Sequence, residues 1–287
     1  MIEPGTVYTL TPLVRRITAP NPGPMTAFGT NTYLVGHGEV AVIDPGPAID
    51  SHIEAILDAG AGRIRWVLVT HTHPDHSPAA KVIADATGAR TLGCLLQPDD
   101  GHQDASFVVN RDLRHGETLS TGEFTLEAIH TPGHIGNHFC FFLQQGQWLF
   151  AGDHIMDGVS VVIIPPSGDM KDFLDSLEHL RHYPLKAIAP AHGHVIDDPE
   201  LEITKLIKHR RMREQKVISA LSRLGESSLE QLLPVVYDDV DPTLHKVASY
   251  SLWAHLLKLE RERQAVKTIA DHWAFGEEHW KLVDPGH

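Results

Sequence analysis

Residues 66–76 read Trp-Val-Leu-Val-Thr-His-Thr-His-Pro-Asp-His, an apolar run that ends in four metal-ligand side chains. No other segment restricts the fold of this chain so tightly. The run Trp66 to Thr70 predicts a buried strand. His71 and His73 are two apart, so an extended backbone points both to one side. Pro74 breaks the strand, and Asp75 and His76 follow on the turn. Imidazole and carboxylate at this density suit a transition-metal ion.

The same placement recurs three times. His134, in Thr-Pro-Gly-His, follows a predicted strand over 123–130. Asp153, in Gly-Asp-His, follows one over 147–151, and His192, in Ala-His-Gly-His, follows one over 186–190. A single rim of the sheets would therefore collect His71, His73, Asp75, His76, His134, Asp153 and His192 as ligands. His138, His154 and His194 neighbour these residues and are expected to support them or to face substrate.

Other segments predict an α+β chain. Residues 31–43 read as two strands around a Gly-His-Gly turn, and 138–143 as a strand paired with 147–151. Helices are predicted over 50–59, over 77–87 with Ser77 as cap, and over 170–182. The character changes after Pro199. Helices over 200–223, 228–236 and 242–262 and a small hairpin in 265–275 resemble a winged-helix module. The expected division is a catalytic domain over 1–198 and a long helix plus winged-helix-like module over 199–287. That module is expected to pack on the catalytic domain; dimerisation is the alternative use of its apolar face.

Charge narrows the partners. The 287 residues carry a net charge of −13, and all of the excess lies in residues 1–200, with 11 Lys/Arg against 24 Asp/Glu. An extended surface for duplex nucleic acid is not expected there. One basic stretch, Lys205 to Lys216, holds six Lys/Arg against one Glu. It is either a solvated helix face or a grip on an anionic substrate. No apolar run approaches the ~18 residues of a membrane span, and the first residues lack the pattern of a secretory signal. Two cysteines, Cys94 and Cys140, form neither a disulfide framework nor a thiolate cage, so a cytoplasmic setting is expected.

The order His-x-His-x-Asp-His, then a spaced His, Asp and His, resembles the metallo-β-lactamase-fold hydrolases over about residues 25–200. The resemblance implies a four-layer αββα sandwich with a dinuclear site, most often zinc, with iron or manganese as alternatives. His71, His73 and His134 would hold one metal and Asp75, His76 and His192 the second. Asp153 would bridge them, and Asp75 and Asp153 would serve the chemistry. Asp44 matches an acidic residue that orients a ligand or the nucleophile. A hydroxide bridging the metals would be the nucleophile, its pKa lowered to roughly 7.

An acidic bridging residue sets the chain apart from the true β-lactamases. Asn21 to Gly36, Ile164 to Met170, Ala191 to Pro199 and Lys208 to Gln215 are similar to the beta-lactamase-like protein 2 family, whose eukaryotic member cleaves single-stranded RNA. That likeness implies a phosphodiester or single-stranded nucleic-acid substrate, with Asn31 and Thr32 lining the site. Lys208, Arg210, Arg211 and Arg213 would be at hand for phosphates. The second reading is a glyoxalase II-like thioesterase acting on a small molecule. A non-catalytic DNA-binding protein ranks last, because all seven ligand positions are filled. The tail His272 to Trp280, rich in His and Trp, has no counterpart in these patterns.

Overall fold

Three sets of buried apolar side chains account for the layering of the first 200 residues. They are seen in a computed structural model that describes residues 2–97, 100–268 and 278–283. The first sheet holds seven strands in chain order: β1 (Val7–Thr9), β2 (Val14–Thr18), β3 (Asn31–Val35), β4 (Val40–Ile43), β5 (Ile64–Leu68), β6 (Arg90–Gly93) and β7 (Arg111–Asp112). The first four pair antiparallel, and β4 to β7 pair parallel. The second sheet holds β8 (Glu117–Ser120), β9 (Thr125–His130), β10 (Phe139–Leu143), β11 (Trp148–Gly152) and β12 (Ala187–Pro190) in reverse order, with only β11 and β12 parallel.

Alternation along the strands sends one set of side chains between the sheets, where Tyr33, Ile43 and Leu68 meet Phe124, Phe141 and Phe150. Leu34, Val42 and Val67 point the other way, onto α1 (Asp50–Gly60) and α2 (Ala79–Thr87). The far face of the second sheet packs Cys140, Leu149 and Ile188 against α3 (Met170–Leu180) and the first half of α4 (Pro199–Leu224). The result is the four-layer αββα sandwich.

Beyond Ile207, α4 leaves that core and enters a fourth one. Its Val217 and Leu221 pack with α5 (Leu229–Val236), α6 (His245–Arg261) and Trp280. Three short strands complete this module, β13 (Ser227–Ser228), β14 (Ala265–Lys267) and β15 (His279–Leu282), with β15 central. The expected hairpin over 265–275 keeps its first arm as β14. Residues 269–275 lie outside the described residues, and β14 pairs with β15. Trp280 of the unplaced tail fills the module's core, fully buried. No helix among the described residues is long and apolar enough to cross a membrane.

The structure differs from the sequence expectations in places: β1, β2, β6, β7 and β8 are not predicted, and the strand expected over Trp66 to Thr70 is β5 over Ile64–Leu68. Ser77 does not cap α2: its hydroxyl donates to Asp104 Oδ2, and Pro78 occupies the cap position. Strand β2 is absent from the sequence reading because Arg15 and Arg16 disguise it. Arg15 donates from Nη1 and Nη2 to two carbonyl oxygens, those of Ala59 and Gly36, which pairs the tip of its guanidinium inside the structure.

Candidate metal centre

All seven residues singled out as ligands come together on one rim. The loop after β5 carries His71, His73, Asp75 and His76; the loops after β9, β11 and β12 carry His134, Asp153 and His192. Two groups of donor atoms form, His71, His73, His134 and Asp153 in one, and Asp75, His76 and His192 in the other. Within each, the atoms lie within 4.8 Å of one another.

Neighbouring groups fix which ring nitrogen carries the proton. Thr70 Oγ1 donates to Asp44 Oδ2, so it accepts from His71 Nδ1 at 3.0 Å. His134 Nδ1 donates to Val162 O at 2.9 Å, and His192 Nδ1 faces Gly29 O at 3.3 Å. His76 Nδ1 lies 3.1 Å from Asp44 Oδ2. Each of these four rings is thereby turned with Nε2 into the cluster.

The first group is short of protons. His71 Nε2 and His134 Nε2 both point at His73 Nδ1, at 2.8 and 3.2 Å, and His73 Nδ1 has at most one proton to share. Burial holds His71, His73 and His134 below the ordinary histidine range, so these rings are neutral. Bare lone pairs that converge in a buried place call for a cation. In the second group His76 Nε2 and His192 Nε2 are buried without a hydrogen bond, as is Asp153 Oδ1 of the first group. The donor set therefore fits metal ions.

Asp153 faces both groups. Its Oδ1 lies 3.5 Å from His76 Nε2 and 3.3 Å from His192 Nε2, and its Oδ2 lies 3.8 Å from His134 Nε2. Asp75 Oδ2 stands 3.2 Å from His192 Nε2. Burial opposes ionisation of both carboxylates, but His192 and His76 beside Asp153, and chiefly His76 beside Asp75, hold both below the usual range. Burial likewise lowers His192, yet Asp153 and Asp75 outweigh it and bring that ring up to about 9.

Residues expected to support or contact substrate divide sharply. Asp44, with φ 48°, accepts from the Thr70 backbone N–H and hydroxyl as well as facing His76. His138 Nε2 accepts from the Asp153 backbone N–H at 3.2 Å, so its Nδ1 donates to Thr131 Oγ1. Asn31 is fully buried and does not line the site. Its amide donates to Pro190 O and Gly193 O and so ties down the loop that carries His192. Thr32 is spent on Asp44 O and His52. His154 packs its ring on Phe173, and His194 is exposed, its ring centroid 5.6 Å from that of Phe28 in an edge-to-face arrangement.

Arginines 210 and 211 correct the sequence expectation. Arg210 is 4% exposed, donates to Val161 O and stacks on the Phe173 ring at 5.4 Å. Arg213 is buried too, donating to Val236 O and Asp239. The Arg211 side chain is 65% exposed but pairs with Glu178, near the end of α3 remote from the loops of the cluster. None of the three lies free for a phosphate at the histidine cluster. Thr70, Val162 and Gly29 escaped the sequence reading. Only Thr70, last in the strand-like run before His71, carried a signal that could have found it.

Residues 25–192 match the Metallo-beta-lactamase superfamily, more than half of the chain. The chain belongs to that superfamily. A second match, over residues 228–273, is to the Beta-lactamase associated winged helix domain. Among relatives of this metallo-β-lactamase-fold chain, a beta-lactamase-like protein 2 homolog of Drosophila melanogaster is 31% identical, covering 89% of this chain and 90% of the relative. An atrochrysone carboxyl ACP thioesterase of Aspergillus chevalieri is also 31% identical, over 96% of this chain and 89% of its own length. The fold over the whole length resembles a beta-lactamase domain protein from Burkholderia ambifaria, with a TM-score of 0.81, 20% identity and coverage of 99% and 97%.

In this superfamily member the winged-helix module is turned inward. Ala254 of α6 joins the core beneath the second sheet, and Arg261 pairs with Asp169, which caps α3, and with Asp172 in its first turn. The helix that precedes the wing thus touches the sandwich through Ala254 and Arg261, while Leu252, Trp253, Leu256 and Leu259 fill the module's own core.

Proposed function

We propose that this chain is a hydrolase that works with two divalent metal ions, zinc by donor type, on an uncharged, apolar ester or thioester. The observation that carries the substrate class is the composition of the two loops flanking the cluster. Residues 20–30, which present Gly29 O to His192, and residues 158–168, which present Val162 O to His134, contain no charged side chain. Both instead expose large apolar groups, Met25 and Phe28 on one side, Val159 and Ile164 on the other. A polyanion needs cations along its path, and the arginines that were candidates are buried or paired. An apolar acyl group gains from shedding water against these loops.

His71, His73, His134 and Asp153 would hold one metal and Asp75, His76 and His192 another; such ions would supply a water of lowered pKa as nucleophile and positive charge to stabilise an oxyanion. The chain's own residues do the rest. Asp44, Val162 O and Gly29 O hold His76, His134 and His192 with Nε2 inward, which fixes the spacing of the donor groups. His138 holds Asp153 by its backbone N–H. Asp75 is the more exposed of the two cluster carboxylates, 29% against 12%, and His76 keeps it ionised as a donor beside His192. Phe28 and Met25 exclude water from one side of a bound acyl chain.

The name of the Aspergillus relative supports the thioester reading. The test is turnover by the metal-loaded chain of a naphthoyl thioester, bis(p-nitrophenyl) phosphate and a single-stranded RNA. Metal-dependent thioester cleavage is expected. Cleavage of the phosphodiesters alone replaces this reading with the nuclease-like one.

A further inference from the structure

Arg210 is buried rather than exposed to solvent, and two of its contacts lead toward the histidine cluster. One route runs through the backbone. Arg210 Nη2 donates to Val161 O, and the next carbonyl, Val162 O, accepts from His134 Nδ1 at 2.9 Å. The other runs through stacked rings. Arg210 lies over Phe173 at 5.4 Å, Phe173 meets His154 at 4.8 Å, His154 meets His138 at 5.8 Å, and His138 meets His71 at 5.2 Å. Phe173 also backs directly on Gly133, the residue before His134: a Cβ on Gly133 would fall 2.3 Å from the Phe173 Cα.

A guanidinium held in an apolar core is costly unless its donors are paired, and here Nη2 is paired with Val161 O while Nε is buried without a partner. Burial lowers Arg210 to about 10, so it is still charged at neutral pH. One turn further on, Arg213 makes an analogous set of contacts toward the winged-helix module: Val236 O, Asp239 and the Tyr237 ring at 4.3 Å. Helix α4 thus carries two buried arginines on one face, one fastening the module and one fastening the loop that orients His134.

We propose that Arg210 is a positioning residue for the metal held by His71, His73 and His134. Its hydrogen bond pins the 161–162 segment, so that Val162 O keeps His134 Nδ1 protonated and Nε2 bare. The assignment rests on the two-metal reading above.

The test is zinc titration of the full chain against a chelating competitor. Arg210→Met is expected to weaken one of the two zinc equivalents about 10–100-fold, the range for groups that orient a ligand, and to leave the other within twofold. Combined with His134→Ala, which disables the same equivalent, it should cost little more, because the two act on one bond. Arg213→Met is the control for simple loss of packing on α4: a lower thermal midpoint with both equivalents intact. Arg210→Lys keeps the charge without the planar fork. It is expected to lose three- to tenfold at the same equivalent, and decides the matter if Arg210→Met does not fold. Two wild-type affinities in the Arg210 variants, or an equal loss in Arg213→Met, overturn the assignment alone. A wild-type chain that takes up no zinc overturns the two-metal reading and the assignment with it.

Discussion

Asp44 Oδ2 lies 3.1 Å from His76 Nδ1 while the same carboxylate accepts the backbone N–H and the hydroxyl of Thr70. One side chain therefore sets the orientation of a ring in one donor group and, through Thr70 Oγ1, of His71 in the other. Asp44→Asn isolates this role, because Asn tolerates the left-handed backbone that Asp44 adopts. The amide cannot accept from both Thr70 and His76 with two oxygens, as the carboxylate does. Zinc affinity at the Asp75, His76 and His192 group should fall about 10–100-fold. Equilibrium dialysis of the variant against buffered zinc measures it, and an unchanged affinity contradicts the orienting role.

Asp153 is the carboxylate that faces both donor groups, and its loss is expected to act on both. Asp153→Ala should remove hydrolysis and lower bound metal, with circular dichroism of the folded chain retained. His71→Ala should do the same through one group. Full metal content with full turnover in either variant would remove the cluster from the mechanism.

The histidine cluster was legible in the sequence because each ligand sits in a loop directly after a strand, and strand ends show in local patterns. Helix α4 was less so. Lys205 to Lys216 reads as a basic surface run, yet Ile203, Leu206, Ile207, Arg210, Arg213 and Val217 recur at spacings of three and four. That phase puts the two arginines on the apolar face; charge composition hides it. The roles of Asn31, Val162 O and Gly29 O are set by contacts between segments far apart in the chain, and backbone carbonyls leave no residue signature. The loops 20–30 and 158–168 were legible only in hindsight, since their lack of charge matters once they are known to flank the cluster.

The mouth of the site gives a prediction that separates binding from chemistry. Phe28→Ser removes an exposed ring that would cover an acyl group, a loss of about 1 kcal/mol for partial burial of an aromatic side chain. KM for an aromatic thioester should rise by roughly fivefold with kcat within twofold, since the ring does not touch the reacting atoms. Metal content should be unchanged. A fall in kcat with constant KM would place Phe28 in the chemistry instead.

Stability of the metal-free chain should depend on pH in a definite sense. In that form Asp153 and Asp75 raise His192 to about 9 against the opposing effect of burial, compared with 6.5 for the ordinary group. A folded-state pKa above the unfolded one gives stability that is fully present below about 6.5. It is lost as pH rises through about 9. Chelator-treated protein should therefore show a falling thermal midpoint from pH 6.5 to 9. Zinc competes with the same proton, so its affinity should rise over that window. A midpoint independent of pH would mean that the proton is not held at His192.

Gly152 tests how closely groups are packed behind the two donor groups. It ends β11 with φ +51°, immediately before Asp153. A Cβ there would stand 2.5 Å from His138 Nε2 and 2.7 Å from Thr70 Oγ1, the atoms that hold Asp153 and relay Asp44 to His71. Gly152→Ala meets two costs, the left-handed backbone and the clash, which together should destabilise the fold by roughly 2–4 kcal/mol. Because the clash displaces groups that orient side chains of both donor groups, zinc affinity should fall with stability. Gly88→Ala is the comparison: its φ is +72° at the end of α2, and nothing lies within 4 Å of the added Cβ. It should lose the backbone part alone, about 1–2 kcal/mol, with zinc binding intact. Chemical denaturation and zinc titration of the two variants side by side separate backbone strain from damage to the metal centre.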